Sequence, residues 1–183
     1  MTSTTLRFAG FGGQGIIKAA EIFGAAAVVD GKRALQNQSY GSSARGGLCA
    51  SDVSVSTGEI YEIEPDRFDV LIALNQNSCD AYLGQLKPDG ILVFEQDLVQ
   101  PPAGLERKYG IGATRIAHEE LGRRIVTNMV VLGFCGALTG LLSRAALEQT
   151  IRHSVPPGTD ALNLKAFGQG WQRGTELRPT AGT

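Results

Sequence analysis

The stretch Leu6-Arg7-Phe8-Ala9-Gly10-Phe11-Gly12-Gly13-Gln14-Gly15-Ile16 decides the fold. Leu6 to Ala9 form a short apolar run that stops at glycine, as a buried first strand does. The six residues after it satisfy GxGxxG at Gly10, Gly12 and Gly15. A helical pattern over 14–28 comes next, with Ile16, Ala19, Ala20, Phe23, Ala26 and Ala27 on one face. Asp30-Gly31 ends it, and Arg33-Ala34-Leu35 reads as a second strand. Strand, glycine turn, helix, strand is the opening of a doubly wound α/β sheet. The glycines have separate tasks. Gly10 permits the sharp turn, Gly12 lets an anion approach the main chain, and Gly15 lets helix and strand pack. The helix start then offers free N–H groups and a partial positive charge to a phosphate. The alternative is a tight turn that holds no ligand.

Working outward, 36–47 reads as a polar loop rich in glycine and serine. Cys49, Val53 and Val55 alternate with Asp52, Ser54 and Ser56, a half-buried strand. Thr57-Gly58 is a turn, and Ile60-Tyr61-Glu62-Ile63 is expected to pair back as a β-hairpin. Phe68-Asp69-Val70-Leu71-Ile72-Ala73-Leu74 and Ile91-Leu92-Val93-Phe94-Glu95 read as central parallel strands, with a helix over 78–86 between them and a further strand over 108–112. Helices are expected over 128–142 and 144–154, and a last one capped by Asp160 carries Leu164, Phe167 and Trp171. Gly133, Gly136 and Gly140 leave one face of the first of these bare, so another helix, a partner or a second copy can approach closely. The expectation is a Rossmann-like α/β fold: a mostly parallel sheet, helices on both faces and a β-hairpin. One domain spans 1–173 and a polar tail 174–183.

Composition narrows the function. Of 183 residues, 43% are hydrophobic and 19% charged, enough for a packed core in one domain. The formal net charge of −1 leaves no basic surplus for a nucleic-acid backbone. The apolar run over 128–142 is too short for a membrane span. Cys49, Cys79 and Cys135 lie far apart without a CxxC, which argues against a cluster or zinc site built by this chain and for a reducing compartment. Met1-Thr-Ser-Thr-Thr has no basic stretch and apolar run of a secretory leader, so a cytoplasmic location is expected. Two histidines leave little for general base work, and His118 beside Glu119 and Glu120 imitates a metal cluster only superficially. No catalytic residue and no metal ligand is assigned.

The loop Ser39-Tyr40-Gly41-Ser42-Ser43-Ala44-Arg45-Gly46-Gly47 follows the second strand, where parallel strands end and ligands bind. Arg45, flanked by small residues, can reach a carboxylate or phosphate with both arms of its guanidinium. The plain alternative is a polar surface loop with an unpaired arginine. A dinucleotide site would want an acidic residue at the end of that strand for the ribose, but Gln36-Asn37-Gln38 stands there. Asp30 lies before the strand and is expected to point elsewhere. A free-standing NAD(P)-dependent dehydrogenase stays open as a reading, as does a purely structural adaptor.

Four blocks in order then resemble a known family. They are Gly10-Phe-Gly-Gly-Gln-Gly15; Ser39-Tyr-Gly41 with Arg45-Gly-Gly47; Asn128-Met-Val130 with Gly133; and Asn163 with Ala166-Phe167 and Gly170. Together they resemble the gamma subunit of the 2-oxoacid:acceptor oxidoreductases, which is also the gamma domain of pyruvate:ferredoxin oxidoreductase. The loop after Gly41 departs from the family by lacking a proline and an acidic residue. The resemblance implies a complex that oxidatively decarboxylates a 2-oxoacid to an acyl-coenzyme A and passes electrons to ferredoxin or another acceptor. Thiamine diphosphate, magnesium and iron–sulfur clusters then belong to partner subunits: thiamine-binding alpha and beta chains and an iron–sulfur chain. This chain would help bind coenzyme A and assemble or close the active site. The resemblance makes Gly10, Gly12, Gly13, Gln14, Gly15, Ser39, Tyr40 and Arg45 the candidate coenzyme A contacts.

Overall fold

The computed structural model describes residues 3–40 and 47–178. Strand β1 (Thr4–Phe11) leads into helix α1 (Ile16–Val29), strands β2 (Arg33–Tyr40), β3 (Leu48–Ser56) and β4 (Phe68–Ala73), helix α2 (Gln76–Tyr82), and strands β5 (Leu86–Glu95) and β6 (Lys108–Ile111). A short turn of helix α3 (Ala113–Arg115) runs into a π-helical turn (Ile116–Glu120), and helices α4 (Thr127–Thr139), α5 (Arg144–Ser154) and α6 (Asp160–Leu177) close the fold.

The six strands form one sheet in the order β2-β3-β1-β4-β5-β6. β1, β4, β5 and β6 run parallel. β3 alone is reversed, antiparallel to both β1 and β2. β2 therefore points the same way as β1, and the sheet is the mostly parallel one expected.

Side chains alternate between two cores. Leu6, Phe8, Val70, Ile72 and Val93 face the larger one, under α1, α4, α5 and α6, whereas Ala9, Leu71, Ala73 and Leu92 face the smaller one with Cys79 of α2. Helices thus cover both faces. Phe8 and Phe23 fix α1 to β1 with ring centroids 6.0 Å apart and no appreciable exposure. Burying each is worth roughly 1.5–3 kcal/mol.

On the thinner face, Arg7 grips Asp52 across β1 and β3 through Nε and Nη2, both 2.6 Å from a carboxylate oxygen. Its guanidinium also lies 4.8 Å from the ring centres of Phe68 and Tyr82. A half-buried ion needs such pairing and stacking to offset its desolvation.

Several expectations need correction. The hairpin is β2 with β3; 60–63 forms no strand. The residues read as a loop from Gln36 onward continue β2 to Tyr40, since β3 supplies a backbone partner for each. The helix expected over 78–86 stops at Tyr82, with a 3₁₀ turn over Leu83–Gln85 before β5. Asp160 is the first residue of α6 rather than its cap; Thr159 precedes it. Helix α6 runs to Leu177, and its Gly174 lies against Phe134 of α4.

The glycine face of α4 is internal. An added Cβ on Gly133 would strike the Phe167 carbonyl oxygen, and one on Gly170 the Val130 carbonyl oxygen. The two backbones touch through paired glycines, so this face meets α6 rather than a partner or a second copy. Among the described residues, no helix is long and apolar enough to cross a membrane.

Candidate functional site

The ends of β1, β4 and β2 and the start of β3 meet at one edge of the sheet. Phe11 pairs with Leu48, Gly10 and Tyr40 with Cys49, and Ala9 with Ala73. The glycine turn stands at this edge between β1 and α1. Gly12 N–H reaches the Gly47 carbonyl at 3.4 Å, which ties the turn to the base of the hairpin. The structure thus brings Gly10 to Gly15 together with Ser39 and the backbone of Tyr40. Ser39 is exposed. Arg45 lies outside the described residues.

The turn is held from inside by amides. Gln14 Oε1 accepts from Phe11 N–H at 2.7 Å and from Asn75 Nδ2 at 3.3 Å. Gln14 Nε2 lies 3.5 Å from the Leu74 carbonyl at the end of β4. Asn75 is itself fixed, because Oδ1 accepts from Ser78 N–H at 2.9 Å and caps α2. Gly10 leaves room for this arrangement: a Cβ there would lie 2.6 Å from Gln14 Oε1. Gly15 has φ +73, and Asn128 Nδ2 donates to its carbonyl at 3.3 Å.

The outer side of the same turn is open. Gly12 and Gly13 are exposed, and a Cβ on either would meet nothing within 4 Å among the described residues. Among the described residues, the N–H groups of Gly13 and Gly15 have no bonding partner. The first N–H groups of α1 lack partners as at any helix start, and the first turn carries no acidic residue to neutralise them. The turn therefore offers main-chain donors and a partial positive charge, with no side chain of the described residues in the way. That chemistry suits a phosphate or another anion. Gln14 is a brace of this cradle in the structure, with its oxygen already committed inward.

Asp30, the acidic residue that precedes β2, is committed elsewhere. Its two oxygens accept from Ser143 N–H and Oγ, both at 2.6 Å, at the start of α5. Glu120 accepts from Arg173 Nη2 at 2.9 Å. Cys49, Cys79 and Cys135 are buried and separate, and burial pushes all three thiols up, Cys135 to about 12.

Three residues matter here beyond the predicted contacts. Asn75 could have been read from its place at a strand end three residues before Ser78, an N-cap pattern. Asn128 opens one of the motif blocks, but its target at Gly15 is invisible in sequence. Glu95, at the end of β5, is 1% exposed. Its Oε2 accepts from Thr114 N–H and Oγ1 at 2.8 and 2.9 Å, while Oε1 is buried with no partner. Burial raises its pKa above the ordinary carboxylate value, against the opposing pull of the Thr114 bonds.

Known proteins are similar to this chain in sequence and fold. The family model for pyruvate ferredoxin/flavodoxin oxidoreductase matches residues 5–173. The 2-oxoglutarate synthase subunit KorC of Methanocaldococcus jannaschii is 42% identical, covering 94% of each chain. The crystal structure of the gamma subunit of a keto/oxoacid ferredoxin oxidoreductase from Geobacter sulfurreducens is 40% identical, with a TM-score of 0.85 over 95% of this chain and 99% of that one. The fold also matches 2-oxoglutarate:ferredoxin oxidoreductase from Magnetococcus marinus, described with 2-oxoglutarate, coenzyme A and succinyl-CoA bound. That match has a TM-score of 0.87 and 24% identity, and covers 98% of this chain and 32% of that one. The chain belongs to the pyruvate ferredoxin/flavodoxin oxidoreductase family, and within it to the gamma subunits of the 2-oxoacid:ferredoxin oxidoreductases.

Proposed function

We propose that this chain lends its glycine turn to coenzyme A in a complex that oxidises a 2-oxoacid to an acyl-coenzyme A. The openness of Gly12 and Gly13 at the start of α1 carries this reading. A pyrophosphate or 3′-phosphate of coenzyme A matches the offered N–H groups in charge and in hydrogen-bonding sense. The N–H groups of Gly13 and Gly15 would hold the phosphate, Gly12 would let it approach the main chain, and Gly10 and Gln14 would shape the turn. Ser39 and the backbone of Tyr40 end the strand beside the turn, and Ser39, Tyr40 and Arg45 would add polar and charged contacts to coenzyme A. Decarboxylation and electron transfer fall to thiamine diphosphate, magnesium and iron–sulfur clusters on partner subunits. The Methanocaldococcus relative makes 2-oxoglutarate the first substrate to test.

Hydrogen exchange of the assembled complex, with and without coenzyme A, tests this reading. Slower exchange at residues 12–17 on adding coenzyme A is the expected result. Unchanged exchange there, with protection confined to other subunits, would overturn it.

A further inference from the structure

The run Glu59-Ile60-Tyr61-Glu62-Ile63-Glu64-Pro65-Asp66 alternates like a strand, yet it pairs with none. It is tied to β2 by Arg33, which pairs with Glu59 at 2.8 Å, and by Asn37 Nδ2, which donates to the Ile63 carbonyl. The first contact anchors a side chain and the second the main chain, and both leave Tyr61 and Ile63 outside. Tyr61 is 89% exposed and Ile63 63% exposed, two residues apart. Water is a costly environment for a neighbouring aromatic and β-branched pair, and such exposed pairs mark contact surfaces.

The charges around the pair say what covers it. Glu62, Glu64 and Asp66 make no ion pair or hydrogen bond among the described residues, and the only base that follows directly is Arg67. A second copy of this chain, docked about a two-fold axis through the patch, would bring three carboxylates from each copy face to face with only Arg67 of each to offset them. A basic surface would neutralise them while burying Tyr61 and Ile63.

We infer that Tyr61 and Ile63, framed by Glu62, Glu64 and Asp66, dock onto an arginine- or lysine-flanked apolar cleft of another subunit of the same complex. This rests on the chain's role as a gamma subunit but not on where coenzyme A binds.

The test uses the complex co-expressed with all its subunits. A benzophenone amino acid at position 61 should crosslink on illumination to a different subunit. Ile63→Ser combined with Glu62→Lys and Glu64→Lys should weaken retention of this chain in the complex by about tenfold, and more at low salt than at high salt. The thermal melting of the purified full chain should stay unchanged, because none of these side chains is buried. A crosslink to a second copy, or none at all, would overturn the inference. So would retention equal to the wild type for the triple variant. Failure of coenzyme A to protect residues 12–17 would leave these results untouched, so the two readings fail separately.

Discussion

Gly15 and Asn128, 113 residues apart, fit so closely that a Cβ on Gly15 would lie 2.5 Å from Asn128 Nδ2. The contact joins the start of α1 to the start of α4. It explains why a glycine with φ +73 and an asparagine at the head of an apolar helix occur together.

Gly15→Ala should therefore cost about 3 kcal/mol, part from the left-handed backbone and part from the overlap. Asn128→Ala alone should cost about 1 kcal/mol through the lost bond to the Gly15 carbonyl. The double variant should be less destabilised than the sum, because the clash with the Asn128 carboxamide is gone, although the backbone strain and the 3.0 Å approach to the Cβ of residue 128 remain. Denaturant melts of the four chains measure this coupling; strict additivity would refute it.

The glycines of α4 and α6 should behave in opposite ways according to what they face. Gly133→Ala and Gly170→Ala drive a methyl into a backbone carbonyl of the other helix and should cost at least about 3 kcal/mol each. Gly168, also in α6, meets nothing nearer than Arg144 Nη2 at 3.9 Å. Gly168→Ala should stabilise by about 0.5–1 kcal/mol through helix propensity. Thermal melts that rank the three alike would contradict the packing described.

Glu95 makes stability depend on pH. Its pKa is raised in the folded chain, so the native state binds the proton more tightly than the unfolded state does. Stability from this residue is full below the unfolded carboxyl pKa. It is lost as pH rises through the folded pKa. Glu95→Gln removes that loss and keeps an oxygen for Thr114. The variant should gain on the wild type more at pH 8 than at pH 4, as read from denaturant melts at the two pH values. An equal difference at both would show that the carboxyl is not the source.

The reach of sequence reading differs along the chain. β1, the turn and α1 were legible because local pattern and final contacts coincide there: Phe8, Phe23 and the α1 alanines all enter the core. The second half of β2 is not legible locally because Gln36 to Tyr40 look polar, and their strand character comes from pairing with β3. The run at 60–63 carries a strand pattern, but β3 already has β1 and β2 on its two edges, so no edge was left for it. The bare face of α4 was readable as a close approach, but its occupant, α6, was not. At the site, the open glycines were legible from spacing. The inward role of Gln14 and the bracing by Asn75 and Asn128 depend on contacts spanning 61 and 113 residues, beyond any local signal.

Gln14 separates bracing from binding. Gln14→Leu should free Phe11 N–H and destabilise the chain by about 1–2 kcal/mol. Gln14→Glu keeps the acceptor oxygen and should recover part of the loss, as measured by thermal melting. A Gln14→Leu chain as stable as the wild type would show that the carboxamide does not hold the turn.

The account as a whole is tested most directly by Gly12→Asp in the assembled complex, with Gly12→Ala beside it. Among the described residues nothing within 4 Å obstructs a side chain at Gly12, so both variants should fold and assemble. Gly12→Ala probes bulk, and Gly12→Asp adds a negative charge where a phosphate would sit. The account predicts that Gly12→Asp raises KM for coenzyme A by about tenfold or more, equivalent to about 1.4 kcal/mol, with a much smaller effect from Gly12→Ala and kcat retained at saturating coenzyme A. An unchanged KM in a fully assembled Gly12→Asp complex would contradict it.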